Sequence, residues 1–309
     1  MLQLLTTLVA FATLPLWIKG VGLYPYLGVE VMIWVIYALG FNLLLGYAGL
    51  PSFGHGAYFG VGAYAFGLSQ LHWGFGLWGS IAAALAGGAL AGALVASFIS
   101  HRRGIYYALL TIAFGQVFWF VAIKWHSVTR GEDGLLNIKR LAAFGVSLDR
   151  LENLYYFCFG IFVLVLLLLW RLVHSPFGRV LSAIKQNETR ARFVGYNVWA
   201  YKWLAFTLSA LVAGLAGGLF ALAQQSAYPN VMSLHQSGFV VMMVLVGGGL
   251  VSFWGPVLGA ALFFVARDLL GAYTETWLLW YGLLFMLIVL YRPEGLAGWL
   301  RDVRSKASA

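Results

Sequence analysis

The chain has 309 residues, 62% of them hydrophobic and only 9% charged. Soluble domains run at about 45–50% apolar and about 25% charged, so a soluble fold is excluded. The single cysteine, Cys158, excludes an intrachain disulfide framework, and the net charge of +9 lacks the basic cluster interleaved with aromatics that nucleic-acid binding needs.

The charges are segregated. No Asp, Glu, Lys or Arg occurs in the 71 residues from Val31 to His101, nor in the 64 from Trp203 to Ala266. Gly104–Ile123, Asn153–Trp170 and Thr276–Tyr291 are also free of them. A transmembrane helix takes about 20 mostly apolar residues, so the long runs hold several spans each. A β-barrel would alternate polar and apolar residues, and these runs do not. The fold class is all-α and polytopic, a single membrane domain over 1–309.

In chain order, ten apolar segments are predicted near 2–18, 27–47, 52–71, 77–99, 105–123, 153–173, 203–223, 237–251, 255–270 and 277–291. The third is rich in glycine, and the eighth and ninth are short. Any of these three could be a broken helix buried in protein rather than a plain span. The first segment is read as a retained span, because Lys19 follows it and a signal peptide puts its positive charge in front.

Ten spans put both termini on one side. That side carries 12 basic and three acidic residues, a net +9. Its basic residues include Arg301, Arg304 and Lys306 of the tail 292–309. The other side carries seven of each, Lys19 and Arg267 among the bases, and is neutral. The positive side is read as cytoplasmic. Segment 124–152 is then an external loop and 174–202 a cytoplasmic one.

The cytoplasmic segment reads HSPFGRVLSAIKQNETRARFVGYNVWAYK. Ser175-Pro176 fits a helix start. Val180, Ile184, Ala191 and Val194 recur at near-helical spacing, and Gly195 and Asn197 are helix stops. One or two short amphipathic helices follow. They are either a solvated connector or a docking element for a cytoplasmic partner.

Here the chain resembles a known family. SPFGRVLSAIKQNETRARFVGYNVWAYKWLAFTLSALVAGLAGGLFA is similar to the cytoplasmic loop and next helix of permease subunits from branched-chain amino acid ABC importers, the second (LivM-type) of their two permeases. GYAGLPSFGHGAYFGVGAYAFGL, RGIYYALLTIAFGQ, VTRGEDGL, GGGLVSFWGPVLGA and RPEGLAG resemble further family segments, in the right order. The chain departs at Pro51, where a polar residue is more common, and at Arg130, where glycine is.

The resemblance implies four partners besides lipid: a sister permease, two cytoplasmic ATPases carrying the ATP and Mg, and a periplasmic solute-binding protein. It implies a coupling segment at Arg179–Gly195, with Arg179, Ala183, Lys185, Asn187, Glu188, Ala191 and Gly195 as contacts. No cofactor is expected on this chain, and no nucleic acid. The solute is expected to be a branched-chain or related amino acid, with urea or short amides as the alternative. An ion-coupled secondary transporter is the more distant reading, opposed by the lack of Asp, Glu, Lys or Arg at mid-span.

Candidate pathway residues are Ser52, Gly54, His55, Thr111 and Gln116. His55 is an ionisable group within an apolar run, though a bond to a backbone carbonyl would also explain it. Gly46–Gly67 is not a phosphate loop, since no Lys or Arg lies in it. Gly56/Gly60, Gly214/Gly218 and Gly255/Gly259 instead put small residues on one helical face for close packing. Gly131, Glu132 and Asp133 form an external turn, a candidate contact for the binding protein and too sparse in oxygens for Ca²⁺. Arg267 and Asp268 are expected to snorkel to the outer interface. No histidine or cysteine spacing suits a metal, and no serine–histidine arrangement suits an enzyme.

Overall fold

The computed structural model describes residues 2–17, 24–250, 252–292 and 294–299. Lys19, Arg301, Asp302, Arg304 and Lys306 lie outside the described residues, as does most of the tail.

All ten apolar segments are helical. They are α1 (Leu2–Trp17), α2 (Tyr26–Asn42), α3 (Gly56–Leu71), α4 (Leu77–Ile99) and α5 (Gly104–Lys124), then α7 (Leu151–His174), α10 (Val198–Gln224), α11 (Leu234–Gly247), α12 (Gly255–Tyr273) and α13 (Trp277–Tyr291). Between them lie a single turn, α6 (His126–Thr129), and the helices α8 (Pro176–Gln186) and α9 (Glu188–Phe193). Among the described residues, β pairing is confined to two isolated bridges, Leu135 with Ala227 and Ala143 with Val146.

Among the described residues, six segments are long and apolar enough to cross a membrane: α2 with its extension, α4, α5, α7, α10 and α12. α10 begins at Val198, five residues before its apolar run, because the Asn197 side chain caps it by accepting from Ala200 N–H at 3.2 Å. The glycine-rich third segment becomes helical only at Gly56, and the eighth is helical only to Gly247. α2 loosens into a wide π turn over Leu43–Ala48 and stops at Gly49, whose φ of 67° favours glycine. The chain then runs without helix to Gly56. α3 has 16 residues and α11 has 14, about 24 and 21 Å long, short of the roughly 30 Å hydrocarbon core.

Helix α2 lies at the centre, 94% buried over its apolar window, and α10 packs beside it. Ser209 of α10 donates its hydroxyl to the Gly40 carbonyl of α2 at 2.7 Å. Glycine sets how closely helices approach. Added to Gly214 of α10, a Cβ would lie 2.6 Å from the Ala84 carbonyl oxygen and 2.8 Å from Gly88 Cα of α4, while Gly62 of α3 meets the backbone of Gly214 itself. Gly255 and Gly259 press α12 onto α11 in the same way. The outer faces of α4, α5 and α7 expose Leu90, Phe98, Phe120, Leu164 and Leu168, as a helix facing lipid does. Trp73 and Trp125 lie exposed at helix ends, where interfacial aromatics collect.

Arg267 and Asp268 are tied to α2. The Arg267 guanidinium donates to Glu30 of α2 at 2.7 Å and to Asp268 at 3.0 Å, and lies over the Phe264 ring. Glu30 is 9% exposed, and a buried carboxylate needs a cation more than Arg267 needs water.

Candidate functional site

Segment 174–202 folds into two helices. Pro176 opens α8 at a position where its missing N–H costs nothing. Asn187 breaks the chain with an extended backbone and caps α9 by accepting from Arg190 N–H at 2.9 Å. Val180 and Ile184 of α8, Ala191 of α9 and Val198 of α10 close a small apolar cluster of their own. That cluster fixes which face of the pair looks outward.

The seven coupling candidates divide by direction. Arg179, Ala183, Asn187 and Gly195 are on the exposed side, and Ala191 is buried in the cluster. Gly195 has φ of 100°, which favours glycine, and stands in open space. Glu188 turns inward. Its carboxylate meets Arg103 of the α4–α5 junction at 3.0 Å, Arg192 at 3.3 Å and Lys202 at 3.7 Å. Lys202 is 1% exposed and donates to the Arg102 carbonyl at 2.6 Å. Glu188 thus ties α9 to the bundle. Lys185 also turns inward, donating from Nζ to the carbonyls of Gly46 at 2.7 Å and Leu250 at 3.2 Å. Partial burial of the ammonium lowers its pKa from the usual lysine value.

Sequence reasoning missed Phe193 and put Val194 in the apolar stripe, but Val198 takes that place in the cluster. Phe193 and Val194 are 87% and 72% exposed, at the tip where α9 ends. The signal was available: two apolar residues run directly into the Gly195 stop.

Four of the pathway candidates are buried together where α3 begins. His55 is fully buried, with Nε2 at 3.0 Å from Ser209 Oγ and its ring among Tyr37, Phe41, Tyr58 and Phe206. Thr111 Oγ1 accepts from Phe53 N–H at 3.1 Å and donates to the Ala108 carbonyl at 2.6 Å. Gly54 lies directly against the Thr111 carbonyl and Gly115, leaving no room for a side chain. Ser52 is fully buried, and its hydroxyl has no partner among the described residues. Gly56 N–H donates to Ser237 Oγ of α11 at 2.9 Å, so the α3 start is bound to both α5 and α11.

The fifth candidate, Gln116, lies elsewhere. It helps line an open groove of about 750 Å³ between α5, α11 and α13, with Trp119, Ser233, His235, Phe239 and Tyr281. A second hollow of about 590 Å³ shares Trp119 and continues toward Glu132, with Tyr228, Asn230 and Gln236 in its wall. The groove is mainly aromatic and aliphatic, with the Gln116 amide, the Ser233 hydroxyl and the His235 imidazole spaced along it. The short helix α11 supplies much of its lining.

Gly131, Glu132 and Asp133 form a tight 3₁₀ turn at the end opposite α8–α9. Gly131 is buried against the His126 ring, and both carboxylates are exposed. Arg130 takes a left-handed φ of 62° just before them. Among the described residues no group of three or more His, Cys, Asp or Glu side chains could hold a metal ion.

Comparison with known proteins supplies the class. The family model described as "Branched-chain amino acid transport system / permease component" matches residues 25–291. The chain is 31% identical over 288 residues to the high-affinity branched-chain amino acid transport system permease protein LivM of Salmonella typhimurium, covering 86% of this chain and 68% of that one. The Escherichia coli LivM gives the same identity and coverage. A probable LivM permease of Methanocaldococcus jannaschii is 26% identical over 315 residues, 85% of this chain and 90% of that one. No solved structure matches the chain. These relatives are transport permeases, and they do not favour an ion-coupled secondary transporter. The match over residues 25–291, with LivM identity over most of the chain, places this multi-pass membrane protein in the branched-chain amino acid transport system permease family.

Proposed function

We propose that this chain is one permease subunit of an ATP-driven importer, forming half of the pathway for branched-chain or related amino acids across a bacterial inner membrane. The observation that carries the reading is the family match over residues 25–291. Its partners are a sister permease, two ATPases that bind the ATP and Mg, and a periplasmic solute-binding protein. The chain itself binds no cofactor.

The geometry supports a division of labour. The exposed tip at Arg179, Ala183, Phe193, Val194 and Gly195 is the ATPase-facing surface, on the side where the bases cluster. The turn Gly131–Asp133 faces the binding protein with two free-standing carboxylates. The groove between α5, α11 and α13 is this subunit's contribution to the pathway. Its aromatic wall suits an aliphatic side chain, and the Gln116 amide and Ser233 hydroxyl suit the charged ends of a zwitterion.

The test is uptake of radiolabelled leucine, isoleucine and valine in cells carrying or lacking this chain with its neighbouring ATPases. The expected result is uptake that requires both this chain and the ATPases. Uptake that survives ATPase loss and collapses with the proton gradient would overturn the reading. So would equal competition by urea or short amides.

A further inference from the structure

Two breaks in the fold carry short sequences that match at four of five positions. Residues 49–53 read Gly-Leu-Pro-Ser-Phe and residues 249–253 read Gly-Leu-Val-Ser-Phe. Each follows a helix that stops on a left-handed glycine, Gly49 with φ of 67° after α2 and Gly248 with φ of 88° after α11. Each leads into a helix that begins at a glycine, Gly56 of α3 and Gly255 of α12.

The two breaks meet. A Cβ on Gly46 would lie 2.6 Å from the Gly249 carbonyl oxygen, so the two backbones touch. Asn42 sits beneath this seam. It is 1% exposed, it touches both glycines, and neither its amide oxygen nor its nitrogen has a hydrogen-bond partner among the described residues. An unpaired buried amide costs free energy, so its place in a fold needs a reason.

Lys185 of α8 lies across the outside of the seam. Its Nζ donates to Gly46 on one side and Leu250 on the other, and its stem rests on Gly49. The Gly46 carbonyl lies in the π turn that ends the α2 extension, where unsatisfied carbonyls and the negative end of the helix dipole favour a cation, and Leu250 lies in the turn that follows α11. A pocket of about 400 Å³ borders the same place, with Ser182 and Gln186 of α8 facing Tyr47 and Ser252 of the breaks.

We propose that Lys185 is a positioning residue that holds the two breaks together and passes the movement of α8 to both at once. While the ammonium bridges the two carbonyls, the seam over Asn42 is shut. When α8 is drawn away, both bonds part together and the seam opens onto the Asn42 amide. The inference rests on the importer reading, since it needs α8 to be driven by a partner.

The experiment uses the assembled transporter in inside-out vesicles, with Asn42→Cys as reporter and a small water-soluble maleimide as probe. Cys158 is fully buried, and the chain without the reporter measures its background. Lys185→Met is expected to raise reporter labelling at least tenfold, and Lys185→Arg, which can still bridge two carbonyls, to leave it low. In proteoliposomes Lys185→Met is expected to lower uptake at least tenfold while ATP hydrolysis stays within about twofold of wild type. Equal labelling with and without Lys185 overturns the proposal. Should the reporter fail to assemble, a cleavable cross-link between cysteines at Gln186 and Ser252 replaces it. That link is expected to stop uptake until it is reduced, and uptake indifferent to it overturns the proposal. Labelling that responds to Lys185 in a transporter that carries no amino acid would leave the latch standing and sink the importer reading instead.

Discussion

His55 and Ser209 meet at 3.0 Å inside the bundle, and the one hydroxyl proton of Ser209 is already given to the Gly40 carbonyl. Ser209 Oγ can therefore only accept from His55, which fixes the Nε2–H tautomer. His55 thus closes a chain of hydrogen bonds from α3 to α10 to α2. Ser209→Ala removes the acceptor from one buried group and the donor from another. The expected cost is about 1–3 kcal/mol, read as a lower Tm of the solubilised complex. His55→Phe keeps the ring packing and leaves the Ser209–Gly40 bond intact. Uptake per assembled complex should then stay within about twofold of wild type. A larger loss at normal assembly would give the ring nitrogens a role in transport.

Glu188 offers the second prediction. Its carboxylate faces Arg103, Arg192 and the buried Lys202. Removing it leaves the Lys202 ammonium with the Arg102 carbonyl alone among its close partners. Glu188→Ala should cost about 3 kcal/mol, the scale of a broken buried ion pair. Glu188→Arg should cost more, because it adds a fourth cation. Reduced binding of the ATPases would then follow from a loosened α9. The sign of this is that Phe193→Ala weakens ATPase co-purification with no loss of Tm, while Glu188→Ala lowers both.

The glycines predict a contrast within one substitution type. Gly214→Ala drives a methyl into the Ala84 carbonyl and Gly88, both backbone and unable to swing aside. The expected loss is about 1–3 kcal/mol from overpacking. Gly160→Ala, on α7 with nothing near its Cβ position, should be neutral or should stabilise by up to about 1 kcal/mol. Equal Tm values for the two variants would contradict the close approach of α3, α4 and α10.

Much of this fold was legible in the sequence for a physical reason. Apolar runs long enough to span are rare in any other class, and all ten are helices. The break before α3 and the shortness of α11 were readable from glycine and length. The external turn was readable from Gly131 to Gly134. Side-chain direction was not. Glu188, Lys185 and Arg179 share one short segment, yet two turn inward and one outward, because partners at Arg103, Lys202, Gly46 and Leu250 lie far away in sequence. The pairing of Arg267 escaped for the same reason, its partner Glu30 being 237 residues distant. The groove escaped because three separate helices build it, and only Gln116 stood out as polar in an apolar run.

The Arg267–Glu30 pair yields a prediction of its own. It joins α12 to α2 at 2.7 Å with both side chains largely withdrawn from water. Either single substitution, Arg267→Met or Glu30→Gln, leaves a charge without its main partner and should cost about 3 kcal/mol. The double variant should recover the part of that loss owed to Glu30, since both charges of that pair are gone, while Asp268 still loses its cation. Additive Tm losses in the cycle would show that the two residues do not depend on each other.

Gly238 tests the groove without disturbing the fold. It lies on α11 in the groove wall, its φ is ordinary, and nothing stands within 4 Å of the place a Cβ would take. Gly238→Leu therefore adds a side chain to the groove and strengthens the helix, glycine being about 1 kcal/mol worse than alanine or leucine there. Assembly and Tm should hold or improve. Uptake should fall at least tenfold if solute passes along this wall, because four added carbon atoms displace a ligand of similar bulk. Gly160→Leu is the matched control, an equal addition to the outer face of α7, and should leave uptake unchanged. A stable, fully assembled Gly238→Leu transporter with wild-type uptake would move the pathway away from the α5–α11–α13 groove.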